Sequence, residues 1–241
     1  MSIAFKKRIL ALAIPALAAA MFPAVAVAQE PPCPFHENRS GLCGYYHSEI
    51  SPARAYLDTA NRRDKWGSPH AVILDVRSTP EYKAGHPENA YNVPYPYIHQ
   101  TCNAAGRTPD GACAAGKVAE IAQDPVAFAD HVERLFPDKN TPIYTLCRTG
   151  VRSVGAANIL TDRGYTNVRN IWEGFVGINL TAPKVQADGT TKVVPVDLNH
   201  DGVLNDQDKN GWRYHQGLPF ETRLLPPLIY YPYAYLYFMP D

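Results

Sequence analysis

Cys147 closes the apolar run Pro142-Ile143-Tyr144-Thr145-Leu146 and opens the stretch Cys147-Arg148-Thr149-Gly150-Val151-Arg152-Ser153. A thiol at the end of a buried strand, with a tight glycine-bearing loop and a helix directly behind it, lies where backbone N–H groups and the positive end of a helix converge. Such a nest binds anions and favours thiolate over thiol. Arg148 and Arg152 add fixed positive charge, which depresses a thiol pKa and attracts an anionic substrate. The residue types therefore predict a nucleophilic Cys147 in an anion cradle made by Arg148, Thr149, Gly150, Val151, Arg152 and Ser153. A buried cysteine with no chemical role is common in protein cores, but it would not need that loop around it.

A second cluster concerns metal. Asp197-x-Asn199-x-Asp201-Gly202-x-Leu204-Asn205-x-x-Asp208 sets oxygen donors at the first, third, fifth, ninth and twelfth positions and a glycine at the sixth. That is the spacing of an EF-hand-type calcium loop, with Asp197, Asn199, Asp201, the Val203 carbonyl and Asp208 as the expected ligands. Asp at the last position, where Glu is usual, makes it similar to the calcium loops of dockerin modules. Asp, Asn and Gly also favour plain turns, so the spacing carries the reading more than the composition does.

The elements that position these groups can be read from the flanks. Ser51-Pro52 starts a helix running to about Asn61. Ala71 to Val76 is apolar without alternation, as a strand buried on both faces requires. A short helix opens at Thr79-Pro80-Glu81, and a short strand is expected at Tyr91-Asn92-Val93. Residues 95 to 118 read as a long, cysteine-bearing loop. Asp124-Pro125 caps a helix carrying Phe128, Val132, Leu135 and Phe136 at helical spacing. Pro142 to Leu146 is a strand, Val154 to about Arg163 a helix ended by Gly164, and Asn167 to Ile171 a further strand. Strands alternating with helices predict an α/β fold, a central parallel sheet flanked by helices, with function at the carboxyl ends of its strands. The stretch 178–210 breaks the rhythm as an insertion holding the loop 197–208.

At the front, Lys6-Lys7-Arg8, the apolar run Ile9 to Val25 and Ala26-Val27-Ala28 follow the order of a cleavable signal peptide over residues 1–28. Pro15 and Pro23 interrupt that run, so no membrane span is expected in the mature chain. A secreted, periplasmic location follows, in which cysteines can pair. Cys33 with Cys43 and Cys102 with Cys113 are the close pairs, although spacing alone permits other connectivities. Residues 29–50 then form a stapled arm, 51–223 the domain, and 224–241 a Pro- and Tyr-rich tail expected to pack on its own domain. With 23 basic and 23 acidic side chains the chain carries no formal net charge, and no basic excess recruits nucleic acid.

Three pieces, in order, give the chain a resemblance to the rhodanese homology family. Asp75-Val76-Arg77-x-x-x-Glu81-Tyr82-x-x-Gly85-His86-x-x-Asn89-Ala90-x-Asn92-Val93-Pro94 looks like its amino-terminal signature. Cys147 to Ser153 looks like its active-site loop, and Asn210-Gly211-Trp212 through Gly217-Leu218-Pro219 like its closing segment. The resemblance implies a rhodanese-like fold and a sulfurtransferase in which Cys147 carries sulfane sulfur as a persulfide. Arg148, Arg152 and the loop backbone would bind the anion. Asp75 and Arg77 would be structural, with Arg77 pairing Glu81 across one helical turn. His86 would be a hydrogen-bonded turn residue. Cys147 and Arg152 enclose four residues, one fewer than in related phosphatases, and the smaller cradle suits sulfur. The implied donor is a small anion such as thiosulfate, the acceptor a thiol, cyanide or a protein, and no cofactor serves the transfer itself. The alternative is a non-catalytic module that binds oxyanions or persulfide in a sulfur or redox pathway.

Overall fold

The computed structural model describes residues 42–60 and 70–240. The expected signal segment, Cys33 and most of the stapled arm lie outside the described residues. Strand β1 (Ser48–Ile50) leads into helix α1 (Pro52–Ala60), whose proline takes the first helical position, where no backbone N–H is needed. Strand β2 (Val72–Asp75) precedes the short helix α2 (Thr79–Lys83), and at its start the Ser78 backbone N–H donates to Glu81 Oε2 at 3.2 Å. Two short strands follow, β3 (His86–Pro87) and β4 (Tyr91–Asn92). Strands β5 (Tyr97–Cys102) and β6 (Lys117–Ala122) form an antiparallel hairpin. Asp124 then caps helix α3 (Pro125–Leu135), its side chain accepting from the Ala127 N–H at 2.8 Å.

Strand β7 (Ile143–Leu146), helix α4 (Arg152–Asp162) and strand β8 (Val168–Ile171) make the next unit. Strands β9 (Thr181–Val185) and β10 (Thr191–Pro195) form a second antiparallel hairpin. Strand β11 (Phe220–Glu221) pairs with β3, and helix α5 (Tyr235–Phe238) is the last described element.

The main sheet has the order β1-β8-β7-β2-β4, and every pairing in it is parallel. All four residues of β7 are buried, which is why its sequence shows no alternation. Phe128 and Val132 of α3 and Val154, Ala157 and Leu160 of α4 pack with Leu74, Ile143 and Leu146 in one core. The sheet thus fixes the ends of β2 and β7 side by side, Asp75 opposite Leu146, and Cys147 is the next residue.

Several expectations are corrected. Residues 95–118 are not one loop, because two six-residue strands frame them. The strands were hidden by polar residues on both faces: five of the six residues of β6 are exposed, so no burial period marks it. The same holds for β9 and β10 inside the expected insertion, while β1 falls where only an arm was expected. The tail packs on the domain as expected: Leu236 and Tyr237 are buried, and the Tyr237 hydroxyl donates to Asn92 Oδ1. Cys102 and Cys113 form a disulfide, and Cys43 is also disulfide-bonded. Among the described residues no helix is long and apolar enough to cross a membrane.

Candidate active site

Cys147 is fully buried and is the free cysteine of the described residues. Its carbonyl accepts from the Phe175 N–H at 2.8 Å, and the Arg148 carbonyl accepts from the Val176 and Gly177 N–H groups at 2.9 and 3.1 Å. These bonds press the cysteine loop against the turn that follows β8. The approach is close enough to demand glycine on both sides. A Cβ on Gly150, whose φ is +82°, would lie 1.8 Å from the Trp172 carbonyl oxygen. One on Gly174 (φ +73°) would lie 2.6 Å from the Thr149 nitrogen. With the loop held this way, the backbone N–H groups of Thr149 to Ser153 donate to no acceptor among the described residues. They form the donor nest expected between a strand and the first turn of a helix.

Ser153 and Asn170 line the sulfur. The Ser153 hydroxyl lies 3.3 Å from Cys147 Sγ and 2.6 Å from Asn170 Oδ1, and the Asn170 amide donates to the Gly150 carbonyl at 3.1 Å. Both residues are buried. Asn170 was missed in the sequence because it sits on β8, whose contribution to the loop is a matter of sheet order.

The two loop arginines are where they were expected, but each already holds a carboxylate. Arg152 donates from Nη1 and Nη2 to the two oxygens of Glu81 at 2.8 and 2.6 Å. Arg148 donates from Nε to Asp110 Oδ2 at 2.6 Å. Burial alone would push both acids up. For Glu81 the charge and hydrogen bonds of Arg152 outweigh burial, helped by Arg77 and Ser78, and hold the carboxyl at about 2. Asp110 is likewise held below the ordinary carboxylate range, with Arg148 opposing its burial.

Arg77 does not pair with Glu81. It precedes the helix and folds back on Asp75, donating from Nη2 at 2.6 Å with Nε at 3.0 Å, while Phe175 stacks under its guanidinium at 3.9 Å. Nη2 also donates to the Gly85 carbonyl at 2.7 Å. This fully buried pair ties the end of β2 to the turns around it, which is the structural role expected of Asp75 and Arg77. His86 is buried, stacked on Tyr82 with ring centroids 3.6 Å apart and Nδ1 2.9 Å from the Tyr82 carbonyl oxygen. Burial lowers its pKa, in keeping with a neutral structural histidine.

A cavity of about 290 Å³ lies beside the loop, lined by Gln100 and Lys117 of the β5–β6 hairpin and by Glu81, Arg148 and Arg152. The hairpin, with its disulfide, is therefore one wall of the cavity beside the cysteine loop.

The acidic loop is compact. Asp197 Oδ2 accepts from the Gly202 N–H at 2.7 Å, and Asp201 Oδ1 accepts from the Val203 N–H at 2.7 Å. The fully buried Asp208 accepts from the backbone N–H groups of Leu198 and Asn205, at 2.9 and 2.8 Å. Among the described residues no three His, Cys, Asp or Glu side chains gather to hold a metal ion. The atom that the loop leaves unsatisfied is Asp197 Oδ1, buried without a hydrogen-bond partner.

Fold and site together define a parallel α/β protein with a free, buried cysteine in a strand–loop–helix donor nest. The Rhodanese-like domain family matches residues 58–181, about half of the chain, and the chain belongs to that family. It is 33% identical over 131 residues to Rhodanese-like domain-containing protein 17 of Arabidopsis thaliana, covering 54% of this chain and 71% of that one. It is 32% identical over 104 residues to a putative mitochondrial thiosulfate sulfurtransferase of Schizosaccharomyces pombe, covering 43% of this chain and 60% of that one. Among solved structures, the crystal structure of Rv0390 from M. tuberculosis is 23% identical with a TM-score of 0.40, over 74% of this chain and 99% of that one.

Proposed function

We propose that this chain is a sulfurtransferase that moves sulfane sulfur from a small anionic donor such as thiosulfate to a thiophilic acceptor through a persulfide on Cys147. The observation that carries the reading is a free, buried cysteine at the end of β7 whose following loop offers two arginines and a run of backbone N–H groups unengaged among the described residues. In the first half-reaction the Cys147 thiolate attacks the outer sulfur of thiosulfate. A new S–S bond forms, the donor S–S bond breaks, and sulfite leaves with the electron pair. The nest stabilises the persulfide anion, and an acceptor such as a thiol or cyanide then takes the outer sulfur and returns the thiolate. Burial of the sulfur limits access to small or extended acceptors. The Cys102–Cys113 disulfide supports the expectation that the protein works in an oxidising compartment outside the cytoplasm. A non-catalytic oxyanion- or persulfide-binding module would use the same cradle without turnover.

The deciding measurement is the mass of the purified full chain after exposure to thiosulfate. A gain of about one sulfur atom on Cys147, removed by a thiol reductant, is expected. No gain with Cys147 still open to alkylation would overturn sulfur transfer from this donor class and leave the binding module.

Calcium at the loop 197–208 is proposed as a structural ligand, on the twelve-position spacing and the unsatisfied Asp197 Oδ1. Saturating calcium should raise the melting temperature by about 5 °C. In Asp201→Ala that increment should vanish. A melting temperature indifferent to both calcium and chelator would remove the metal from the description.

A further inference from the structure

Asp110 lies in the connection between β5 and β6, inside the loop closed by Cys102 and Cys113. Its side chain is almost fully buried, and it meets Arg148 through Nε at 2.6 Å and Nη2 at 3.4 Å. The Thr108 hydroxyl donates to its other oxygen at 2.7 Å. The connection cannot swing freely. A Cβ on Gly111, at φ +82°, would fall 2.3 Å from the Pro80 carbonyl oxygen and 2.7 Å from Glu81 Cα, so the backbone beside Asp110 rests directly on α2. Arg107 clasps the connection by donating to the Gly111 and Gln100 carbonyls at 3.1 and 2.7 Å, and Arg213 reaches the Pro109 carbonyl at 3.4 Å. An acid has been placed, and held, on the outer arginine of the anion cradle.

The charge at the mouth follows. The two loop guanidiniums face two carboxylates, Asp110 and Glu81, and the lysine that shares the cavity, Lys117, is itself ion-paired with Glu120. A cradle that reads as doubly cationic in sequence is close to neutral in space. An incoming anion must share Arg148 with Asp110, and the resulting like-charge repulsion grows with the charge that the anion brings.

We propose that Asp110 determines which donors the site accepts, acting through Arg148 to disfavour doubly charged anions relative to singly charged ones. The substrate class becomes monoanionic sulfane-sulfur compounds, such as organic thiosulfonates, ahead of thiosulfate. With a thiosulfonate the Cys147 thiolate bonds to the terminal sulfur, the donor S–S bond breaks, and a sulfinate departs with the electron pair. The donor class rests on the sulfur-transfer reading, whereas the charge preference does not.

The test therefore begins with anions that cannot react. Calorimetric binding of sulfate and of methanesulfonate is measured on the full chain and on Asp110→Asn, with melting temperature as the folding control. Removing the competing charge should tighten sulfate about tenfold and methanesulfonate about threefold, so that their ratio moves. The same ratio should move in kcat/KM for thiosulfate against methanethiosulfonate, through KM and not kcat. If Asp110→Asn does not fold, Asp110→Ser removes the same charge and keeps a partner for Thr108. A folded variant in which both anions change equally, or neither changes, overturns the proposal whatever the turnover. A shifted binding ratio with no sulfur taken from either donor keeps the charge gate and sinks sulfur transfer.

Discussion

Cys147→Ser is expected to lose at least about a thousandfold of the sulfite release from thiosulfate while remaining folded. The expectation has two parts with different origins. A serine hydroxyl is not ionised near neutral pH and cannot hold sulfane sulfur as a stable, transferable anion, so the covalent intermediate disappears. No second thiol among the described residues can replace it, because Cys102 and Cys113 are bonded to each other and Cys43 is also disulfide-bonded. The fold should tolerate the change, since Ser153 Oγ already lies 3.3 Å from Sγ and supplies a polar neighbour for the new hydroxyl. The cost is set at about 1 kcal/mol, a few degrees of melting temperature. Sulfite release together with the melting curve checks both parts. Activity that survives in a folded variant would move the chemistry away from this loop.

What the sequence disclosed, and what it hid, follows from the range of each interaction. β7 was legible because a strand buried on both faces lacks the apolar–polar alternation of a half-exposed one, and the cysteine loop because strand, glycine and helix are contiguous. α3 announced itself through Asp124-Pro125. The acids that neutralise the arginines were invisible for the opposite reason: Asp110 lies 38 residues from Arg148, and Glu81 lies 71 from Arg152. Only the sheet order and the hairpin bring them together. The expected Arg77–Glu81 pair failed on local geometry. The i,i+4 rule needs both residues on a helix, and α2 begins at Thr79. Arg77 therefore lies in the bend before the helix and turns to Asp75, two residues away, leaving Glu81 for Arg152. The hairpins β5–β6 and β9–β10 were unreadable because pairing needs no burial pattern when both faces are wet.

That reassignment of Glu81 yields the second large effect. Arg152→Ala should cost about 3 kcal/mol, on the order of 10 °C in melting temperature, because it strands a fully buried carboxylate that loses its counter-charge, leaving Oε1 without a donor and Oε2 with Ser78 alone. Anion binding should weaken as well. The double variant Arg152→Ala with Glu81→Ala should be less destabilised than the sum of the single changes, since each single change leaves a charge without its partner and the double change leaves neither. Acid gives an independent check. Glu81 is depressed in the folded state, to about 2 from an ordinary 4.5. Its contribution is therefore complete above pH 4.5 and is lost as the pH falls from 4.5 toward 2. The wild-type melting temperature should drop through that window, and in Glu81→Gln the slope there should be shallower. Equal slopes in the two proteins would mean that other acids govern the transition, and that Arg152 owes its position to the loop instead of to Glu81.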